Sequence, residues 1–281
     1  MRYGLVLGVI FGLATAVAAG ERVRVWANVP DGTVSAEGGT AGVEGIAAPA
    51  QYPEYPYDGR FIFARIAYDP DGRGMGSYGF RRRGGWDPEW RHDYPDAEQN
   101  FTAILRELTY VWPLTEGGNI FTLDDPRLFQ FPIAYMSEPG FWQPTDADVA
   151  AVRNYLLKGG FMIFDDFGGG GERGQMSNLV NQMNRVLPEL TFLPLNASDE
   201  IFDSFFGIDP ETINLVYERY RTEWWGLFED NDKSKRMLAV AGNYGDLGEF
   251  WEYSSTGFFP VDMSNEAYKV GINYVIYAMT H

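Results

Sequence analysis

The chain predicts an α/β fold, a three-layer sandwich with a mostly parallel central sheet, and two observations carry that reading. Short apolar runs of four to six residues alternate with longer segments whose apolar residues recur every three or four positions. The boundaries between them carry helix capping residues on one side and Gly or Pro on the other.

In chain order, Phe61-Ile62-Phe63-Ala64-Arg65-Ile66 reads as a strand. Phe101, Ile104, Leu105, Leu108 and Val111 share one helical face, and Asp96 is placed to cap that helix. Ile120 to Leu123 and Phe131 to Tyr135 predict short strands. Thr145, three residues before Asp148, predicts a capping box for a helix carrying Val149, Val152 and Leu156, ended by Gly159-Gly160. Phe161-Met162-Ile163-Phe164 predicts a buried strand. Met176, Leu179, Val180, Met183, Val186 and Leu187 form one face of a helix stopped by Pro188. Met237 to Ala241 predicts a late strand, and a buried helix runs from about Ser264 to the end.

The segment ahead of this body has a different composition. Arg2, the apolar stretch Leu5 to Ala14 and the small residues Ala16-Val17-Ala18-Ala19-Gly20 predict a signal peptide over residues 1–19. The apolar run is too short for the ~20 residues of a spanning helix. Residues 20–58, rich in Gly, Ala and Pro, read as a tether, and residues 59–281 as the α/β domain. Export to a periplasmic or extracellular compartment follows as the expectation, with no transmembrane segment after cleavage.

Composition narrows the chemistry. With 22 Lys and Arg against 39 Asp and Glu, the net charge of -17 repels phosphate backbones, so nucleic acid is not an expected partner. Cysteine is absent, which removes disulfides, thiolate nucleophiles and Cys-ligated metals. Only His92 and His281 are available for imidazole chemistry, and no nucleophile-elbow pattern accompanies either.

In open α/β sheets the ligand crevice lies beyond the carboxyl ends of the strands, where the strand order reverses. Asp124-Asp125, Asp165-Asp166, and Asn243 with Asp246 each follow a predicted strand, so several carboxylates are candidates for one crevice. Such a cluster binds Mg²⁺ or Ca²⁺, moves protons, or merely caps backbone. Asp124, Asp165 and Asp166 are the candidate metal ligands. Asp125 is also placed to cap the turn Pro126 to Phe129, and Asp166 to bond the glycine loop behind it. His92, beside Asp93 and near Asp96 and Glu98, offers a mixed metal site or a solvent-facing imidazole.

Two loops complete the candidate set. Gly168-Gly169-Gly170-Gly171 lacks the Lys and Ser or Thr of a phosphate loop and reads as a flexible connection. The long insertion Asp69 to Asp93 carries Arg81, Arg82 and Arg83 among Trp86 and Trp90, suited to a carboxylate, a sugar acid or an acidic protein. The same arginines are equally suited to pairing with surface acids.

The string Asp93-Tyr94-Pro95-Asp96-Ala97-Glu98-Gln99-Asn100-Phe101, then Leu123-Asp124-Asp125-Pro126 with Leu128-Phe129 and Pro132 to Met136, then Gly159-Gly160-Phe161 through Asp165-Asp166-Phe167, and Gly271-Ile272-Asn273 to Tyr277-Ala278-Met279-Thr280-His281 resemble the bacterial family of domain of unknown function 4159. The resemblance runs from about Arg60 to His281. It implies a class I glutamine amidotransferase-like fold, a flavodoxin-like sandwich, without implying an activity. True amidotransferases use a thiol at a strand-to-helix elbow, where this chain has Asp165-Asp166, so glutamine hydrolysis by that route is excluded. The expectation is an exported, non-catalytic module that binds a small polar ligand or an envelope protein. The alternative is a metal-assisted hydrolase of a polar or carbohydrate substrate.

Overall fold

The structure is a computed structural model and describes residues 52–69, 80–82, 85–168, 174–213, 215–217 and 220–281. The expected signal peptide and all of the expected tether up to residue 51 lie outside them. The elements, in order, are β1 (Phe61–Ala67), β2 (Phe80–Arg82), β3 (Gly85–Asp87), α1 (Asp96–Leu108), β4 (Pro113–Thr122), β5 (Ile133–Ser137), α2 (Asp146–Leu157), β6 (Phe161–Phe167), α3 (Gly174–Val186), β7 (Phe192–Pro194), β8 (Val216–Tyr217), β9 (Tyr220–Arg221), β10 (Glu223–Phe228), β11 (Met237–Asn243), α4 (Leu247–Glu252) and α5 (Val261–Thr280).

Seven strands form one sheet in the order β4-β1-β5-β6-β11-β10-β7. The five from β4 to β11 are parallel, and β10 runs antiparallel to both β11 and β7. The fold is therefore α/β with a mixed, mostly parallel sheet. Near-continuous apolar runs such as Phe161 to Phe164 belong in parallel strands because helices cover both faces. Alternating side chains separate two cores. Ile62, Ala64 and Ile66 pack with Val152 and Leu156 of α2 and Leu179 and Met183 of α3. Phe61 and Phe63 pack with Phe101 and Leu105 of α1, Phe250 and Trp251 of α4, and Ile272 and Val275 of α5.

Several boundaries differ from expectation for identifiable reasons. The capping box at α2 is present, Thr145 accepting from the Asp148 amide while the Asp148 side chain accepts from the Thr145 amide. Asp96 does not cap α1; it is the first helical residue, and the N-cap is Pro95, with no side-chain cap. Of the predicted strand Ile120 to Leu123, all but Leu123 is the last part of the longer β4, and Phe131 to Tyr135 is shifted to Ile133–Ser137. β6 extends through Asp165 and Asp166, which lie in the strand rather than after it. The aromatic end of the expected tether rests on the domain. Tyr52 packs edge-on against Trp90 and Tyr94, and the Tyr55 amide donates to Asn119 Oδ1 at 2.8 Å.

The chain leaves β1, passes through α1 to β4 on one side, and then continues through β5 and β6 on the other. The order reverses between β1 and β5. The loops after β1, β5, β6 and β11 therefore meet above the middle of the sheet. Among the described residues, no helix is long and apolar enough to cross a membrane.

Candidate metal centre

Five acidic side chains and one histidine converge at that switch point. The loop after β1 returns to α1 through a short 3-10 helix, Glu89–Arg91, and presents His92 and Asp93. Glu138 follows β5, Asp166 sits near the end of β6, and Asp246 is the N-cap of α4 after β11. Asp165 lies beneath them, 1% exposed.

Buried Arg65 anchors the first loop. Its Nε donates to Glu98 Oε1, both side chains being 1% exposed, and its Nη1 donates to the carbonyls of Trp90 at 3.0 Å and His92 at 2.8 Å. Burial alone would lower the Arg65 pKa, but the charges of Glu98, Tyr135 and Asp93 and the hydrogen bond to Glu98 together outweigh it, and the net shift is upward. Glu98 is thus the partner of Arg65 and does not join His92, as the sequence had suggested; Asp96 is exposed.

Asp165 and Asp166, adjacent in sequence, do different work. The register of β6 against β11 passes from Phe164 opposite Ala241 to Phe167 opposite Asn243, a bulge that sets both aspartates against Gly242. Asp166 has a left-handed backbone, φ 57°, which re-aims its carboxylate. Asp165 Oδ2 accepts from Tyr135 Oη at 2.8 Å and from the amides of Leu247 at 2.8 Å and Gly248 at 3.1 Å, tying β6 to the start of α4. Asp166 Oδ2 instead accepts from Ser137 Oγ at 3.1 Å and lies 3.1 Å from His92 Nδ1, which also stands 3.3 Å from Glu138 Oε1.

Two ligand-like groups share Asp166. His92, Glu138 and Asp166 each offer an atom within 4.8 Å of the others, and so do Asp93, Asp166 and Asp246. Asp93 is 3% exposed, and among the described residues its Oδ2 has no hydrogen-bond donor. A Cβ on Gly248 would stand 2.3 Å from that oxygen, so glycine is what lets the carboxylate lie against α4.

The electrostatics express the crowding. Burial first, and then the charge of Asp166, push the Glu138 carboxyl up to about 9 and hold Asp93 and Asp246 well above the usual carboxylate range. Asp165 is raised less, to about 6, by burial, with the Tyr135 hydroxyl opposing the rise. Carboxylates held this close need protons or a cation to offset their repulsion.

Other residues singled out in the sequence stand apart. Asp124 is exposed, and Asp125 caps the 3-10 turn Pro126–Gln130, accepting from the Arg127 amide at 2.9 Å and its guanidinium at 2.6 Å. Arg127 holds the Asp125 carboxyl below its usual range. Both aspartates follow the edge strand β4, three strand spacings or about 14 Å from β6. They do not enter the Asp166 cluster, and the crevice shared by Asp124 with Asp165 is not formed. Asn243 is buried and donates to Glu223 Oε2 at 3.0 Å across the β10–β11 pair. Arg81 and Arg82 fall in the β2–β3 hairpin, and their side chains, with all of Arg83 and Gly169 to Gly171, lie outside the described residues.

Sequence reasoning missed Glu138. Its signal was weak, a single acid after the β5 run and before Pro139. Its left-handed backbone, φ 53°, turns the chain back over the sheet.

No curated protein matches the chain. The model of the family described as Domain of unknown function (DUF4159) matches residues 63–279, which spans β1 to α5 and the whole of the acidic cluster, and the chain belongs to that family.

Proposed function

We propose that this domain is a divalent-cation-dependent binding module, exported in its natural setting, with the ion held by His92, Glu138 and Asp166. The observation that carries the reading is the approach of His92 Nδ1 to two buried carboxylates, 3.1 Å from Asp166 and 3.3 Å from Glu138. One imidazole and two carboxylates suit Mn²⁺ or Zn²⁺ as well as the Mg²⁺ and Ca²⁺ expected from oxygen ligands alone. The five parallel strands, taken alone, have the order of a flavodoxin-like sheet, whose ligands lie at the switch point between the first and third strands. That order supports the flavodoxin-like and amidotransferase-like comparison, with an acidic cluster at the place where such folds bind ligands.

Metal-assisted hydrolysis of a polar substrate is the second reading. Three protein ligands leave a coordination position for water, as in catalytic metal sites. Isothermal titration of chelator-treated protein with Mn²⁺ and Zn²⁺ tests the first reading. Saturable binding that disappears in Asp166→Asn and weakens in His92→Gln is expected; heat of dilution alone overturns it. Turnover of phosphate or glycoside esters that requires the added ion would favour the hydrolase.

A further inference from the structure

We infer that the site holds two cations, the second bound by Asp93, Asp166 and Asp246, with Asp166 shared between them. The inference rests on the cation-binding reading above and extends it to a separate, all-oxygen subsite.

Three observations support it. Asp93, Asp166 and Asp246 each present a carboxylate oxygen within 4.8 Å of the others, and unlike the group of His92, Glu138 and Asp166 this one contains no nitrogen. Among the described residues, Asp93 Oδ2 is buried with no hydrogen-bond donor, although the α4 amides that bond Asp165 are close by in the fold. A carboxylate oxygen left without a donor at 3% exposure is costly unless a ligand fills the position. Charge gives the third argument. Asp93, Glu138, Asp166 and Asp246 belong to linked groups that Glu249 and Glu252 join through Asp93, six carboxylates in all. With all of them ionised, one divalent ion balances a third of that charge, whereas two balance two thirds.

The donor sets also separate the ions chemically. The subsite with His92 takes a borderline ion, and the all-carboxylate subsite takes a hard one, Mg²⁺, Ca²⁺ or Mn²⁺. Two ions sharing a carboxylate sit roughly 3.5–4 Å apart in proteins, close enough for magnetic coupling between Mn²⁺ ions.

Equilibrium dialysis of the full chain against Mn²⁺, with metal measured by elemental analysis and the bound ions by electron paramagnetic resonance, tests the inference. The expected result is two Mn²⁺ per chain with a spin-coupled spectrum. Asp246→Asn and Asp93→Asn should each reduce this to one ion with an uncoupled six-line spectrum. Asparagine is as good a helix N-cap as aspartate, so Asp246→Asn keeps the start of α4. One ion in the wild type, unchanged by Asp93→Asn and Asp246→Asn but weakened in His92→Gln and lost in Asp166→Asn, overturns the second subsite and leaves the first. No bound Mn²⁺ in the wild type overturns both.

Discussion

His92 Nδ1 lies 3.1 Å from Asp166 Oδ2, although 74 residues separate them in sequence. The contact joins the loop after β1 to the end of β6 across the point where the strand order reverses. Two features make it. The bulge and left-handed backbone at Asp166 turn the carboxylate toward the loop, and Arg65 fixes the loop through the carbonyls of Trp90 and His92. Each feature yields a separate prediction.

Arg65→Met removes one half of a buried ion pair and strands Glu98. Loss of a partner at such a site costs about 3–5 kcal/mol, because the remaining charge stays buried. Urea denaturation of the metal-free protein should show that loss, and Arg65→Lys should not restore it, since an ammonium cannot span Glu98 and two carbonyls in the same planar geometry. A double variant, Arg65→Met with Glu98→Gln, should recover part of the stability.

Ser137→Ala tests the support of Asp166 without touching a proposed ligand. Ser137 is fully buried, and its Oγ donates to Asp166 Oδ2. Losing such an outer partner lowers metal affinity by about 10–100-fold in other metal proteins. Titration should show Mn²⁺ affinity falling in that range while the fold persists by circular dichroism. Unchanged affinity would show that Asp166 needs no orienting donor.

The pH dependence of the metal-free protein follows from Glu138, whose carboxyl is raised from 4.5 to about 9 by burial and by Asp166. Between those values the folded chain holds a proton that the unfolded chain has released. Stability should therefore be greatest below the unfolded value and decline as pH rises toward about 9. Bound Mn²⁺ should reduce this slope, because the ion takes the place of the proton. Thermal melts from pH 5 to 9, with and without Mn²⁺, measure both arms.

Much of this architecture is legible in the chain, and what is not has physical causes. The apolar runs of β1, β5, β6 and β11 and the capping box of α2 are local signals, and they identify the parallel layers. β10 is harder to read, because Glu223–Phe228 places Gly226 inside a short run with two tryptophans. The rule that sites lie at carboxyl strand ends points to the right edge of the sheet but gives no position along it. By sequence Asp124 is therefore equivalent to Asp166, and only the strand order, with β4 at the edge, separates them. Asp246 was visible as an acid after a strand, whereas the meeting of Asp93 and Glu138 with Asp166 depends on loops folding over the switch point. No periodicity encodes that.

The account turns on the difference between Asp165, which ties β6 to α4, and Asp166, which faces the proposed ion. The direct measurement is the shift in melting temperature on adding Mn²⁺ to wild type, Asp165→Asn and Asp166→Asn. At free ion a hundredfold above the dissociation constant, one site adds about 2.7 kcal/mol of stability, readily seen in a melt. Asp165→Asn should start about 1–3 kcal/mol less stable, through its weakened bonds to the Leu247 and Gly248 amides, yet keep the Mn²⁺ shift. Asp166→Asn should lose the shift. A wild-type protein indifferent to Mn²⁺, or an Asp166→Asn variant that responds as the wild type does, would contradict the account.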